Sequence, residues 1–274
     1  MTHILLQRLA PQHALSRFAG WVSTCRNRTL KNWILRRFIK KYHVDLTQAQ
    51  LENIDDYPTF NAFFTRQLKP ALRPIANASN QIASPADGTV SQIGYIQENT
   101  LLQAKGFDYD LPTLVGNPQE AQKFINGAFA TLYLSPKDYH RVHMPFPGKL
   151  RQTIYIPGQL FSVNKQTTHA IPNLFTRNER LVCIFDTAIG PMAVILVGAM
   201  LVGSIETVWD SHIATGNLTQ RTYDNGIELT HGAELGLFKM GSTVILLFGK
   251  DKVTWSEELK EDATLRMGQL IATI

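Results

Sequence analysis

The run "GPMAVILVGAMLVGSI", Gly190–Ile205, carries no charge, and its reading decides the fold. As one helix it would be a membrane span. It falls short of the roughly 20 apolar residues that a bilayer core demands, and glycines interrupt it. Two buried strands meeting around Gly198 fit better, so the chain is expected not to span a membrane. Short strand-like runs recur on either side: "GTVSQIGYI", "GAFATLYL", "RQTIYIP", "RLVCIFDT" and "STVILLF", separated by Gly, Pro, Asn and Asp. There is no repeat period, and no alternating β–α pattern with a phosphate loop.

Upstream the pattern is helical. After Pro11, a good first-turn residue, Ala14, Leu15, Phe18, Trp21 and Val22 recur at helical spacing. Leu30, Trp33, Ile34, Phe38 and Ile39 repeat it behind Thr29, read as the N-cap. A third helix is expected over "PTFNAFFTRQL", ended by the prolines of "KPALRPI". The fold class is therefore α+β, with a helical segment over residues 1–70 and a β-rich body over 71–274.

Charge sharpens that division. Residues 1–44 hold nine Lys and Arg and no acid, whereas the chain as a whole has net charge +5. Helices with tryptophan and phenylalanine on one face and cations beside them suit an anionic bilayer surface. The alternative packs those faces on the body and leaves a solvated basic face. Nucleic acid is not expected as a partner, since no binding motif occurs and the remainder is slightly acidic. At 274 residues and 44% hydrophobic the chain is globular. Cys25 and Cys183 give no disulfide framework and suggest a reduced, cytosolic setting. "MTHILLQRLAPQH" has too short an apolar run for a secretory signal.

Three stretches could carry chemistry. "SPADGTV" puts Asp87 in a tight turn before a strand; "LSPKDYHRVHMPFPG" puts His140 and His143 after one; "MGST" puts Ser242 behind a glycine. An acid, a histidine and a serine on separate loops can converge as a triad. Each also has an ordinary reading: Asp-Gly is a common turn, and Gly-Ser recurs at Gly203–Ser204. Two histidines without a nearby third ligand make a weak metal site, and no metal is expected.

Together with "QAKG", "PGQLFSVN", "PNLFTRNERLVCIFDT", "VGAMLVGSIETVW" and "FKMGSTVILLF", in that order, these stretches resemble the phosphatidylserine decarboxylases, pyruvoyl-dependent enzymes made as self-cleaving proenzymes. The resemblance runs from "TFNAFFTRQLKPALRPI" to the end. One departure is Met240, where the bacterial family usually has leucine; both are apolar and similar in volume.

The resemblance implies autocatalytic cleavage between Gly241 and Ser242, giving a large chain (1–241) and a small chain (242–274). The small chain would begin with a covalent pyruvoyl group derived from Ser242, which forms a Schiff base with the substrate serine. By the same resemblance Asp87, His143 and Ser242 form the self-cleavage triad, and His140 serves decarboxylation. It further implies phosphatidylserine as substrate, phosphatidylethanolamine and CO₂ as products, and a homodimer of processed protomers. The expected location is peripheral, on the cytoplasmic face of the inner membrane, and the β-rich body is expected to be barrel-sandwich-like. The competing readings are a serine hydrolase using the same triad on an external ester, and a non-catalytic membrane-surface module.

Overall fold

The structure is a computed structural model that describes residues 12–76, 78–104, 107–199, 205–210, 213, 216–239 and 242–274. Pro11, Met240 and Gly241 lie outside the described residues. Strands β1 (Gln81–Ala83), β2 (Gly88–Tyr95), β3 (Thr100–Ala104), β4 (Phe107–Asp110) and β5 (Ala128–Leu134) come first. β6 (Arg141–His143), β7 (Gly148–Ile156), β8 (Arg180–Thr187), β9 (Gly190–Gly198) and β10 (Ile205–Thr207) follow. β11 (Thr219–Leu229), β12 (Glu234–Phe238), β13 (Ser242–Phe248), β14 (Thr254–Trp255), β15 (Thr264–Leu265) and β16 (Leu270–Thr273) complete the set.

Eight strands form one antiparallel sheet in the order β11-β7-β8-β9-β13-β5-β2-β15. Its ends, β11 and β15, do not pair, so the sheet is open and no closed barrel forms among the described residues. The uncharged run Gly190–Ile205 supplies β9 at the sheet's centre, ending at Gly198 as expected, while residues 200–204, where a second strand is expected, lie outside the described residues and only Ile205 begins β10 in a second sheet. β13 lies beside β9 and is buried along its whole length. A strand buried on both faces reads as a continuous apolar run, which is why neither shows polar alternation.

Side chains alternate across this sheet and divide the core in two. Val244, Leu246 and Phe248 of β13 join Val142, Ile205, Leu235 and Phe238, which come from the small sheet β10-β12-β6. Ile245 and Leu247 face the other way, onto the β3–β4 hairpin and the helices Leu111–Val115 and Leu174–Arg177. The body is thus a central sheet between a small sheet on one side and short helices on the other, an α+β arrangement.

The amino-terminal helices span Gln12–Ser23 and Arg28–Tyr42. The cap of the second is Asn27 rather than Thr29, with Asn27 Oδ1 accepting the Leu30 N–H at 3.0 Å. The third helix is shorter than its apolar spacing suggests, covering only Phe60–Phe64. Beyond Thr65 the backbone pairs instead: Gln50 N–H donates to Gln67 O at 2.8 Å, and Lys69 N–H to Gln48 O at 2.9 Å. Leu35, Val44, Tyr57, Phe60, Phe63 and Phe64 make a separate small core there. Leu15, Phe18, Trp21, Leu30 and Trp33 do not join it and stay exposed. No helix among the described residues is long and apolar enough to cross a membrane.

Candidate active site

Register brings the loops bearing Asp87, His140, His143 and Ser242 to one end of the large sheet. Ser242 opens β13 and is paired on one side with Leu134, the last residue of β5, and on the other with Gly198, the last of β9. Asp87 directly precedes β2, the next strand beyond β5, where Thr89 lies opposite Tyr133. Asp87 therefore stands about two strand spacings from Ser242, roughly 10 Å. The chain leaving β5 carries His140 and then His143. The backbone fastens these loops together: His143 N–H donates to Pro85 O at 2.8 Å, and Phe238 N–H to His140 O at 3.0 Å.

Ser242 is fully buried, and its Oγ has no hydrogen-bond partner among the described residues. As an even-numbered position of β13, it shares the face of Val244 and Leu246, the face covered by β6 and β12. An unsatisfied buried hydroxyl costs about 1–3 kcal/mol, so such groups are scarce away from functional sites.

His143 has both ring nitrogens engaged. Nδ1 lies 2.9 Å from Gly232 O and Nε2 3.0 Å from the Tyr139 hydroxyl. A carbonyl only accepts, so Nδ1 carries the proton and Nε2 holds the lone pair, with Tyr139 donating to it. Burial pushes the His143 pKa down from its ordinary value, against the opposing pull of the Gly232 carbonyl. The ring is thus neutral at pH 7, in the tautomer a general base needs. Gly232 sits at φ +73, and a Cβ there would meet Ile75 Cδ1 at 2.0 Å, so glycine is required to present that carbonyl.

Asp87 is buried and fully engaged, but not by His143. Arg73 donates to it through Nε at 2.8 Å and Nη2 at 2.5 Å, and Met267 N–H donates to Oδ1 at 2.8 Å. The Arg73 segment is gripped from below by Gly268 at φ +86, where a Cβ would approach Pro74 O to 2.5 Å. Beside this pair opens a cavity of about 350 Å³ lined by Gln50, Lys69, Arg73, Tyr139, Glu234 and Met267. Arg73 and Tyr139 are partners the motifs do not announce. Arg73 stands in "ALRPI" fourteen residues ahead of Asp87, and Tyr139 lies inside the histidine motif itself.

His140 is fully buried against the Phe64 ring, 4.1 Å between centroids. Its Nδ1 donates to Asp138 O at 2.9 Å, and Nε2 has no partner. Burial holds its pKa down to about 3, so it too is neutral at pH 7 with a free lone pair. Ser242 Oγ and His140 Nε2 are among the buried side-chain atoms left without a partner, and both fit a site that forms and uses a group at Ser242. No group of three or more His, Cys, Asp or Glu that could hold a metal occurs among the described residues.

A family model described as phosphatidylserine decarboxylase matches residues 60–273, and one described as PSD matches residues 2–43. The phosphatidylserine decarboxylase proenzyme of Pseudomonas fluorescens Pf-5 is 52% identical over 273 residues, spanning 97% of this chain and 95% of that one. That of Ectopseudomonas mendocina is 52% identical, spanning 98% and 96%, and that of Pseudomonas putida GB-1 51%, spanning 98% and 96%. The chain belongs to the phosphatidylserine decarboxylase family.

Proposed function

We propose that this proenzyme cleaves itself between Gly241 and Ser242, and that Asp87, His143, Ser242 and His140 carry the chemistry by which it decarboxylates phosphatidylserine. The observation that carries the reading is the buried, unpartnered Ser242 hydroxyl at the sheet end where Asp87, His140 and His143 gather.

Cleavage needs only groups of the chain and water. Ser242 Oγ attacks the Gly241 carbonyl while its proton passes to a neutral imidazole, and the peptide becomes an ester. Loss of the Ser242 α-proton then expels the Gly241 carboxylate and leaves a dehydroalanine. Tautomerisation and addition of water release ammonia, and the small chain starts with a pyruvoyl group. His143 suits the base role because the bond to Gly232 O fixes the proton on Nδ1 and leaves the lone pair on Nε2, where Tyr139 donates to it. Tyr139 must yield that nitrogen for Ser242 to reach it. Asp87, with Arg73 fixing its position, supplies the negative charge that favours a cationic imidazole.

The pyruvoyl carbonyl supplies an electrophile for the substrate amine and a sink for the electrons of the departing carboxylate. His140, neutral and free at Nε2, is placed to handle the proton that replaces CO₂. Burial favours its neutral form throughout, so it returns any proton it takes.

The amino-terminal helices supply the approach to lipid. Phe18 (64% exposed), Trp21 (72%) and Trp33 (57%) lie beside an apolar groove of about 1080 Å³ whose rim carries Arg37, Lys40 and Lys41. These exposed rings favour the bilayer-surface reading over packing on the body and support peripheral attachment to an anionic inner-membrane leaflet. Processed protomers are taken to pair as homodimers on the family pattern, with each protomer holding its own large and small chains.

The test is Ser242→Ala beside wild type, both purified and supplied with phosphatidylserine vesicles. The variant is expected to remain one chain and release no CO₂. A Ser242→Ala protein that still splits would remove the assigned cleavage site.

A further inference from the structure

Two arginines are buried to the same degree and differ in one respect. Arg180, 2% exposed, spends every side-chain nitrogen on backbone carbonyls. Its Nε donates to Leu114 O, Nη1 to Thr176 O and Asn178 O, and Nη2 to Thr113 O, at 2.6–2.9 Å. Arg66, 5% exposed, uses only Nη2, which donates to Lys137 O at 2.7 Å and Asp138 O at 3.4 Å. Among the described residues its Nε and Nη1 have no hydrogen-bond partner, and Asp138, Asp87 and Asp45 act on it only electrostatically, at longer range. The Phe63 ring, 5.4 Å from the guanidinium carbon, gives partial compensation. A buried guanidinium with two donors unpaired is costly even where carboxylates act on it at longer range, and one that persists points to an anion supplied from outside.

The place of Arg66 narrows what that anion is. Arg66 Nη2 and His140 Nδ1 share one acceptor, the Asp138 carbonyl, so the guanidinium stands beside the decarboxylation histidine. The neighbouring His140 Nε2 and Ser242 Oγ are likewise buried and unpartnered. Three elements thus bring unsatisfied polar atoms to the same end of the large sheet.

We propose that Arg66 binds the phosphodiester of the substrate headgroup, an inference that rests on phosphatidylserine as substrate. The headgroup offers two anions, and catalysis separates them. The carboxylate loses its charge as CO₂ forms, so a cation gripping it would stabilise the ground state and slow the step. The phosphodiester keeps its charge throughout. Holding it tightens substrate and transition state alike, which lowers KM without lowering kcat. Guanidinium is suited to phosphate, being always charged and more weakly hydrated than an ammonium.

The experiment uses full-length processed enzyme on phosphatidylserine in mixed micelles, with the mass of the small chain recorded for each sample. Wild type and Arg66→Met are compared in kcat and KM. Two soluble competitors separate the anions: glycerophosphoethanolamine has the phosphodiester and no carboxylate, and serine has the carboxylate and no phosphate. Arg66→Met is expected to mature and to raise KM about tenfold or more, the equivalent of one charge-assisted contact, with kcat nearly unchanged. Glycerophosphoethanolamine should compete with wild type and lose about tenfold against the variant, while serine competition stays the same. A fall in kcat at constant KM, or loss of serine competition alone, would overturn the phosphodiester assignment. Should Arg66→Met fail to fold, wild type alone decides: serine competing while glycerophosphoethanolamine does not would also overturn it. A matured wild type that releases no CO₂ from phosphatidylserine would instead sink the substrate reading on which the proposal rests.

Discussion

His143 and Asp87 meet through the frame around them. His143 is held by Gly232 O and Tyr139, and Asp87 by Arg73 and the Met267 N–H, with no hydrogen bond between the two. His143→Ala should leave at least about a 10³-fold slower conversion to the small chain, by the usual cost of losing a triad base. Rapid processing of that variant, followed by gel electrophoresis over time, would remove His143 from the base role. Tyr139→Phe leaves Nε2 uncovered and should mature at least as fast as wild type; a slower variant would mean that the hydroxyl relays the proton. His140 also links the site to acid stability. Its pKa falls from an ordinary value near 6.5 to about 3 on folding, because burial disfavours the charged ring. The stabilisation from keeping it neutral is complete above about pH 6.5 and is lost as pH falls toward 3, at no more than about 1.4 kcal/mol per pH unit. Urea midpoints should therefore drop between pH 6.5 and 4, with a shallower slope in His140→Gln. Equal slopes in the two proteins would contradict a buried neutral His140. The motifs single out Asp87, His140, His143 and Ser242 as candidates because each stands in a short, distinctive stretch, and the structure gathers all four at one end of the large sheet. Arg73 and the role of Tyr139 are not legible, since their partners are set by tertiary approach and not by spacing.

Sequence pattern follows structure most closely where burial is continuous. β9 and β13 follow from apolar runs bounded by glycine, and pairing on both sides explains their lack of alternation. The match is looser at the helix Phe60–Phe64, because its aromatic spacing continues toward Leu68 while the backbone after Thr65 is recruited by residues 48–50. That early stop is what turns Arg66 toward Lys137 and Asp138 instead of along a helix face. The N-cap of the second helix was displaced from Thr29 to Asn27, a small shift because both types cap well. Gly232 tests how far the site depends on one backbone geometry. Gly232→Ala introduces positive-φ strain and a contact with Ile75, for about 1–3 kcal/mol of destabilisation. It should also slow maturation, since the carbonyl that fixes the His143 tautomer must move. Urea unfolding together with processing rate checks this; lost stability with normal maturation would show that the carbonyl does not set the base.

At the scale of the molecule, the chain divides its work by charge and by burial. The central sheet holds Ser242, the proposed reacting serine, away from water, and the basic helices present exposed aromatic rings next to cations. The α+β class and the basic, helical start of the chain are plain in the sequence, from apolar periodicity and from the absence of acids over residues 1–44. The open sheet with two flanking layers is not, because strand order depends on pairings between distant segments such as β2 with β5 and β13 with β9. If the helices attach by charge, binding to vesicles rich in anionic lipid should weaken by about tenfold or more between low and high salt. Salt-insensitive binding would point to insertion of Phe18, Trp21 and Trp33 as the main attachment. The central claim is that Ser242 becomes the start of a separate chain, and the intact mass of the purified protein under denaturing conditions tests it most directly. The account predicts a fragment spanning 242–274, lighter by one ammonia than the same fragment beginning with serine. A single unbroken chain of 30.8 kDa that nevertheless decarboxylates phosphatidylserine would contradict it.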